Sequence, residues 1–172
     1  MRQAHNQEFI SQCIHRLNLN TSRIEKCLEQ LSEKEVWQRP NQASNSIGNL
    51  ILHLCGNITQ YVISSIGNNP DERLRDAEFA ADGGYTKQEL LDRLRQTVGE
   101  ATTILQHLVE ADLMKVHSVQ GFEYTAIGSI IHVVEHYSYH TGQIAFWTKC
   151  LKNEDLGFYA GMDLNKRNKP TD

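Results

Sequence analysis

Two histidines one helical turn apart, His136 and His140, lie in an apolar stretch, Ile127 to Trp147, whose only charged residue is Glu135. Side chains at positions i and i+4 point the same way on a helix, so both imidazoles can face one spot. A third histidine, His53, occupies a second stretch with no charge at all. Imidazole is the commonest side-chain metal ligand near neutral pH. If a facing helix delivers His53 to the pair, the sequence predicts a three-histidine metal site.

Both histidine-bearing segments carry an uncharged polar stripe. On a helical wheel of about 100° per residue, the stripe of the earlier segment lies opposite an apolar arc, and the later segment repeats the pattern. A solvated helix face normally carries lysine, glutamate and arginine, so these stripes favour walls that hydrogen-bond inside the protein or line a pocket. The stripes consist of Asn49, His53, Asn57, Gln60 and Ser64, and of His132, His136, His140 and Gln143.

Three residues of these stripes are candidates for supporting the metal ligands. Asn57 lies one turn past His53, and Gln143 follows the later histidine pair, so both can orient ligands or substrate. Alternatively, they satisfy buried backbone groups or each other. His132 extends its stripe by a further turn, but a helix drifts by about 40° in four residues, so three consecutive histidines seldom reach one ion. We interpret His132 as a core residue or as a support for the ligands.

Hydrophobic spacing predicts four long helices. Apolar residues at steps of three and four predict the first helix over residues 6–32. The second is predicted over residues 46–66, with Ser46 as its N-cap. A capping-box pattern at Thr86 opens the third helix, and the fourth spans about residues 125–151. Four helices of this length predict an all-α, up-and-down four-helix bundle.

The connections between these helices are less regular. A charged loop, Asp71–Gly84, is predicted between the second and third helices, and connections this long are uncommon unless they cover something or are mobile. Residues 115–124 are expected to form a small hairpin or an irregular loop before the fourth helix. At 172 residues the chain is long enough to bury a sizeable core, and a single domain over residues 1–172 is expected.

The Asp71–Gly84 loop contains Arg73 and Arg75, for which there are two interpretations. The arginines can supply cations for an anionic low-molecular-weight thiol. Alternatively, they are solvated and pair locally with Asp76 and Glu78. We favour the second interpretation, because local pairs of this kind are common on charged surface loops.

Composition excludes several classes of function. The net charge is −4 and the pI about 6.0, so no basic face is expected for nucleic acid or an anionic membrane. The N-terminus lacks the apolar core of a signal peptide, and no run reaches transmembrane length. The four cysteines are scattered and form no Cys-x-x-Cys pair, which fits a reducing compartment. We therefore expect a cytoplasmic protein that binds neither nucleic acid nor membrane.

The histidine segments carry a family resemblance. His136-Tyr-Ser-Tyr-His140-Thr-Gly-Gln143-Ile resembles the fourth-helix signature of DinB-like metalloproteins, in which His-x-x-x-His precedes a small residue, glycine and glutamine. Asn49-Leu-Ile-Leu-His53 resembles their second-helix histidine. The resemblance covers nearly the whole chain. Three further segments are similar to an uncharacterised branch of that superfamily: Ser46–Asn49, Arg75–Phe79 and Asp155–Tyr159.

The resemblance implies a four-helix bundle, often a homodimer, with one divalent metal ion held by His53, His136 and His140. Relatives in the superfamily include the YfiT-like hydrolases and S-transferases that use bacillithiol, mycothiol or glutathione. On this basis we expect zinc or nickel at the site, with iron or manganese as alternatives. The expected partner is a small-molecule thiol or electrophile, and no feature of the sequence tells which thiol is used.

Three hypotheses for function follow. The first is a metal-dependent transferase or hydrolase in which the ion activates a thiol or water. The second is a non-enzymatic, stress-associated bundle whose ion ties the helices together. A structural site normally has four protein ligands, so a fourth ligand such as His132 or His117 would favour the second hypothesis. In the third there is no metal, and the histidines form a buried polar network or a dimer contact.

Overall fold

Helices make up most of residues 2–168, the part of the chain that the computed structural model describes. The elements in chain order are α1 (Arg2–Gln30), α2 (Glu33–Trp37), α3 (Ile47–Ile58), α4 (Arg75–Ala80), α5 (Lys87–Gln106), α6 (Glu110–Leu113), β1 (Val116–Val119), β2 (Phe122–Thr125) and α7 (Ala126–Lys152). Helix α3 continues beyond its last α-helical residue as a π-helical segment, Thr59–Ser64.

The long helices α1, α3, α5 and α7 share one apolar core. Helix α1 packs against α5 and α7, and α3 packs against the same two helices, so α1 and α3 lie across the bundle from each other. Each of the four helices contributes side chains that are fully or almost fully buried, among them Ile24, Leu54, Leu94 and Tyr137. The predicted all-α helical bundle is therefore confirmed.

Side-chain caps fix where three of these helices begin. The Ser46 hydroxyl accepts from the backbone N–H of Asn49 at the start of α3, and the Asn49 side chain accepts from the Ser46 backbone in return. Thr86 and Glu89 form the equivalent capping box of α5, and Thr125 caps α7. Such caps satisfy N–H groups that have no partner in the first turn. Short local signals thus set the starts of both histidine-bearing helices.

Helix boundaries depart from the predictions by a few residues. Helix α1 begins at Arg2 and ends at Gln30, against a prediction of residues 6–32. The α-helical part of α3 ends at Ile58, and the rest of the predicted second helix is the π-helical segment. Helix ends are the part of a helix that periodicity specifies least, because the terminal turns fray and are set by local caps.

Two connections contain more structure than a plain loop. Strands β1 and β2 pair antiparallel, with Val116 opposite Thr125, so the hairpin alternative for residues 115–124 is correct. The prediction of a loop over Asp71–Gly84 is wrong in part, since this segment contains α4. Helix α4 has only six residues and no side-chain cap. A helix this short is marginal alone, so its contacts with α3 must stabilise it.

Three of the four cysteines pack inside the bundle. Cys13, Cys27 and Cys55 are buried as free thiols, whereas Cys150 is exposed. Buried thiols of this kind pack as small hydrophobic side chains. In the stretch from residue 2 to residue 168, no helix has the length and apolar character needed to cross a membrane.

A buried hydrogen bond between α1 and α7 gives a direct test of the packing. The Tyr137 hydroxyl donates to Thr21 Oγ1 at 2.8 Å, because Thr21 itself donates to the Leu17 carbonyl. We expect Tyr137→Phe to lower the free energy of unfolding by about 1 kcal/mol, the usual net value of one buried hydrogen bond. Urea unfolding measures this change. The control is Tyr139→Phe on the exposed face of α7, and an equal loss in both variants would contradict the assignment.

Candidate metal centre

The three predicted ligands meet between α3 and α7, which run antiparallel at this point. His53 on α3 faces His136 on α7, with 2.8 Å between the two Nε2 atoms. Asn57, one turn further along α3, faces His132, one turn back along α7. The His140 ring centroid lies 4.4 Å from that of His136 and 5.1 Å from that of His53. The structure thus brings together imidazoles that are more than 80 residues apart in the chain.

The spacing of the three imidazoles fits the donor set of a divalent ion. In a tetrahedral zinc site each nitrogen lies about 2.0–2.1 Å from the ion, so the nitrogens lie about 3.3 Å from one another. The ligand atoms of the three histidines all lie within 4.8 Å of one another, and Nε2 of His53 lies 2.8 Å from Nε2 of His136, so the value expected for a zinc site falls within this range. Among residues 2–168 the group contains no fourth histidine, cysteine, aspartate or glutamate.

Gln143 lies against His140. The Nδ1 atom of His140 is 2.7 Å from Gln143 Oε1. An amide oxygen only accepts hydrogen bonds, so Nδ1 carries the ring proton and Nε2 keeps its lone pair. Since metal ligation uses a lone pair on neutral imidazole, this bond leaves Nε2 of His140 available as a ligand atom. The ligand-orienting role predicted for Gln143 has the geometry it needs, although metal ligation itself stays a prediction.

His132 and Asn57 pair with each other and stand beside the three histidines. The Asn57 amide Nδ2 donates to His132 Nε2 at 3.2 Å, so that lone pair is already engaged. The His132 ring stacks between Tyr61, at a centroid distance of 4.2 Å, and His136, at 5.4 Å. His132 therefore packs against a member of the group without offering a ligand atom to it. Asn57 contacts His132 instead of orienting one of the three predicted ligands.

Burial and neighbouring charge keep these groups in the protonation states that metal binding requires. Burial, together with the neighbouring imidazoles of His140 and His53, lowers the pKa of His136 to about 3. Burial also lowers the pKa of His140. Burial alone would raise the pKa of Glu78, but hydrogen bonds from Arg73 and His53 outweigh it and hold that pKa below its ordinary value. Near neutral pH, His136 and His140 are therefore neutral and Glu78 is ionised.

A buried ion pair in the Asp71–Gly84 segment contacts the candidate site. Arg73 Nε donates to Glu78 Oε1 at 2.8 Å and Arg73 Nη2 donates to Oε2 at 2.9 Å, which is a bidentate pair. The two side chains are only 3% and 10% exposed. The predicted pairing of Arg73 with Glu78 is correct, but the interpretation of this pair as solvated is wrong. Arg75 is exposed and lies 4.9 Å above the Phe79 ring.

Glu78 is the site residue that the sequence did not reveal. Its Oε2 atom lies 2.9 Å from His53 Nδ1. The available signal was Gly56, one turn past His53, because a Cβ atom at that position would overlap Glu78 Oε1. The polar residue Asn49 is a second signal, since its amide donates to the carbonyl oxygens of Glu78 and Ala81 at 2.9 and 2.6 Å. The uncharged stripe of α3 therefore serves partly as the surface against which α4 packs.

A cavity of about 630 Å³ opens beside Gln143, toward the C-terminal end of α7. Its walls come from α7, from the first turn of α3 and from the connection before α3. Three aromatic rings and four uncharged polar side chains line it, and none of its lining residues is charged, as is common in small-molecule sites. The rings belong to Tyr139, Phe146 and Trp147.

Comparison with known protein families shows which family the chain belongs to. Residues 4–160 match the family described as a protein of unknown function, DUF1572. The chain belongs to this family. No curated protein matches the sequence. The DUF1572 match covers both histidine-bearing helices, α4 and the cavity, so the whole candidate site lies inside the family's domain.

Solved structures are similar to this chain in fold. The fold is similar to that of a conserved protein from Enterococcus faecalis, with 17% identity, a TM-score of 0.72, and 84% of this chain and 97% of that chain covered. It is similar to a DinB-like protein from Bacillus cereus, with 16% identity, a TM-score of 0.64, and 81% and 91% covered. A DinB-like protein from Bacillus subtilis gives 16% identity, a TM-score of 0.63, and 82% and 92% covered. The predicted DinB-like resemblance is confirmed, and at these identities the likeness shows the fold alone.

The lowered pKa of His136 predicts how the stability of the metal-free protein depends on pH. His136 takes up a proton near pH 3 in the folded state but near 6.5 in the unfolded state, so the unfolded state binds more protons between these values. The free energy of unfolding therefore falls as the pH drops below about 6.5, because protons bind more readily to the unfolded state. The slope is up to about 1.4 kcal/mol per pH unit.

Urea unfolding of chelator-treated protein at about pH 7.5 and about pH 5 measures this loss. We expect His136→Gln to reduce the difference between the two pH values. His107→Gln, which changes an exposed histidine, is the control and should leave the difference unaltered. An equal pH dependence in wild type and His136→Gln would contradict the assignment.

Proposed function

We propose that this protein is a divalent-metal-dependent transferase or hydrolase whose ion is held by His53, His136 and His140. The observation that carries the proposal is the convergence of these three imidazoles within 4.8 Å of one another, in a group that has no fourth protein ligand among residues 2–168. Three protein ligands with an open position are the usual arrangement of catalytic zinc sites, whereas structural sites are closed by four.

The chemistry available to such a site follows from its ligands. Three neutral imidazoles leave a divalent ion with its full charge, which lowers the pKa of bound water toward about 7 or stabilises a thiol as thiolate. Gln143 holds His140 in the tautomer that ligation needs. The chain's own residues therefore supply the ligands and their orientation, and a low-molecular-weight thiol or water would be the nucleophile.

The cavity beside Gln143 indicates the class of electrophile. Its lining has aromatic rings and no charged side chain, so burying a charged group there would cost free energy without a compensating ion pair. We therefore propose a neutral, largely apolar electrophile. Arg73 does not support recognition of an anionic thiol, because its guanidinium already donates to Glu78 and to Gln60 Oε1 at 2.9 Å.

The alternative function is a non-enzymatic metal-binding bundle. It shares the ligand set with the first proposal and differs in whether the ion turns over substrate. The lone pair of His132, a possible fourth ligand of a closed structural site, is engaged by Asn57. This bond favours the enzyme over the structural role.

Metal content and turnover test the proposal together. Elemental analysis of tag-free wild type should give about one equivalent of a divalent metal per chain, as expected for one site. His136→Ala should lose most of it, because two imidazoles remain, and the exposed-residue control His107→Ala should keep it. Negligible metal in all three proteins would contradict both the enzymatic and the non-enzymatic metal-binding function.

A conjugation assay then separates the enzyme from the alternative. Bacillithiol, mycothiol, glutathione and water are offered with a neutral apolar electrophile and with its carboxylate analogue. We expect turnover of the neutral compound by metal-loaded wild type, loss on chelation and recovery on adding metal back. A stoichiometric metal ion without turnover of any pair would favour the non-enzymatic bundle.

A further inference from the structure

We propose that Glu78, held by Arg73, is a positioning residue that fixes His53 as its Nδ1–H tautomer and directs its Nε2 lone pair at the other two histidines. The effect on the tautomer stands on the hydrogen bonds alone. The consequence for metal affinity rests on the function proposed above.

The tautomer follows from what surrounds His53 Nδ1. Glu78 Oε2 lies 2.9 Å away and Arg73 Nη2 lies 3.1 Å away. An ionised carboxylate has lone pairs and no proton, so an unprotonated Nδ1 would place two lone pairs against each other at hydrogen-bonding distance. With the proton on Nδ1, the ring donates to Oε2, and Arg73 Nη2 donates to the same oxygen at 2.9 Å. In this arrangement Nδ1 and Nη2 are two donors that share Oε2 as their acceptor. An unprotonated Nδ1 could accept from Nη2 at 3.1 Å, but it would leave the shorter contact, with the carboxylate, as two opposed acceptors.

Arg73 holds the carboxylate in one orientation. Its Nε and Nη2 atoms donate to the two oxygens of Glu78, and its Nη1 donates to Gln60 Oε1 at 2.9 Å. Gln60 in turn donates from Nε2 to Asp71 Oδ2 at 2.7 Å. Because the arginine fork is planar, the carboxylate plane is fixed relative to α3. Removing Arg73 would leave a buried carboxylate without its charge partner, which is costly.

The backbone around Glu78 is tied to α3 independently of the ion pair. The Asn49 amide donates to the Glu78 and Ala81 carbonyls, and Arg39 Nη2 donates to the Phe79 carbonyl at 2.7 Å. The Phe79 ring packs on the imidazole of His53 at a centroid distance of 4.6 Å. The α4 segment is therefore held beside His53 by the Glu78 carboxylate, by backbone carbonyls and by the Phe79 ring.

Gly56 makes room for this approach. A Cβ atom there would overlap Glu78 Oε1 and come within 2.8 Å of Arg73 Nε. Alanine favours a helix more than glycine does, so Gly56→Ala is expected to keep α3 helical while displacing the carboxylate. This variant disturbs the contact with His53 without removing any charge, which makes it independent of Glu78→Gln.

Nitrogen chemical shifts of the imidazoles test the tautomer in metal-free protein. Long-range proton–nitrogen spectra of ¹⁵N-labelled wild type, with His53 assigned by its absence in His53→Gln, should show Nδ1 protonated and Nε2 unprotonated. Glu78→Gln and Gly56→Ala should move His53 toward a mixture of tautomers. The matched controls are Asp76→Asn, which changes an exposed carboxylate on α4, and Gly99→Ala, where a Cβ meets open space on α5. Both controls should leave His53 unchanged.

Zinc competition against a chromophoric chelator tests the consequence for affinity. Partners that orient a metal-bound histidine typically change affinity about 10- to 100-fold, so a loss of this size is expected in Glu78→Gln and Gly56→Ala. Asp76→Asn and Gly99→Ala should stay within about threefold of wild type, since they alter no contact of His53. Thermal unfolding followed by circular dichroism shows that each variant compared is folded.

The outcomes separate this inference from the proposed function. An Nε2–H tautomer in wild type, or a tautomer unaffected in both Glu78→Gln and Gly56→Ala, would overturn the inference even if zinc binds through the three histidines. A changed tautomer with unchanged zinc affinity would overturn its metal part. If wild type binds no zinc, the proposed function fails, and the nitrogen spectra still decide whether Glu78 sets the tautomer.

Discussion

A buried imidazole has two ring nitrogens to satisfy, and that requirement orders the space between α3 and α7. His53 and His140 turn Nδ1 outward to an acceptor, Glu78 in one case and Gln143 in the other. Their Nε2 atoms then keep a lone pair, and Nε2 of His53 lies 2.8 Å from Nε2 of His136. A shared proton can satisfy one such pair. A cation held by three neutral imidazoles would satisfy three lone pairs at once, so the group is compatible with a metal ion.

The charged side chains beside His53 cancel each other, and this determines how much charge a bound ion would keep. Helix α3 carries no charged side chain, and within residues 2–168 the charged side chains that contact His53 are the partners Arg73 and Glu78, which compensate each other. A divalent ion bound by three imidazoles would therefore keep its full positive charge. Carboxylate ligands would have reduced it. An ion with this charge would be able to polarise a nucleophile, as the enzymatic role proposed above requires.

How far the sequence predicted this structure depends on the range of the interactions. The helix starts at Ser46, Thr86 and Thr125 were predictable because a cap acts within three residues. The histidine group was predictable in type and spacing, although its assembly needed α3 to face α7. The role of Glu78 was not, because its partner His53 lies 25 residues earlier and no local pattern separates a buried carboxylate from a solvated one. Gly56 and the polar residue Asn49 marked where it would fit.

The apolar core extends over two helices that carry none of the three histidines, and this bears on what an ion would do. Side chains such as Ile24, Leu90 and Leu105 on α1 and α5 are almost fully buried in the shared apolar cluster. A chain of this size buries enough apolar surface to fold without a metal staple. Burial of neutral imidazole is itself tolerated while the pH stays above the range in which His136 protonates. An ion held by the three histidines would therefore not be needed for the chain to fold, which is compatible with the enzymatic role proposed above.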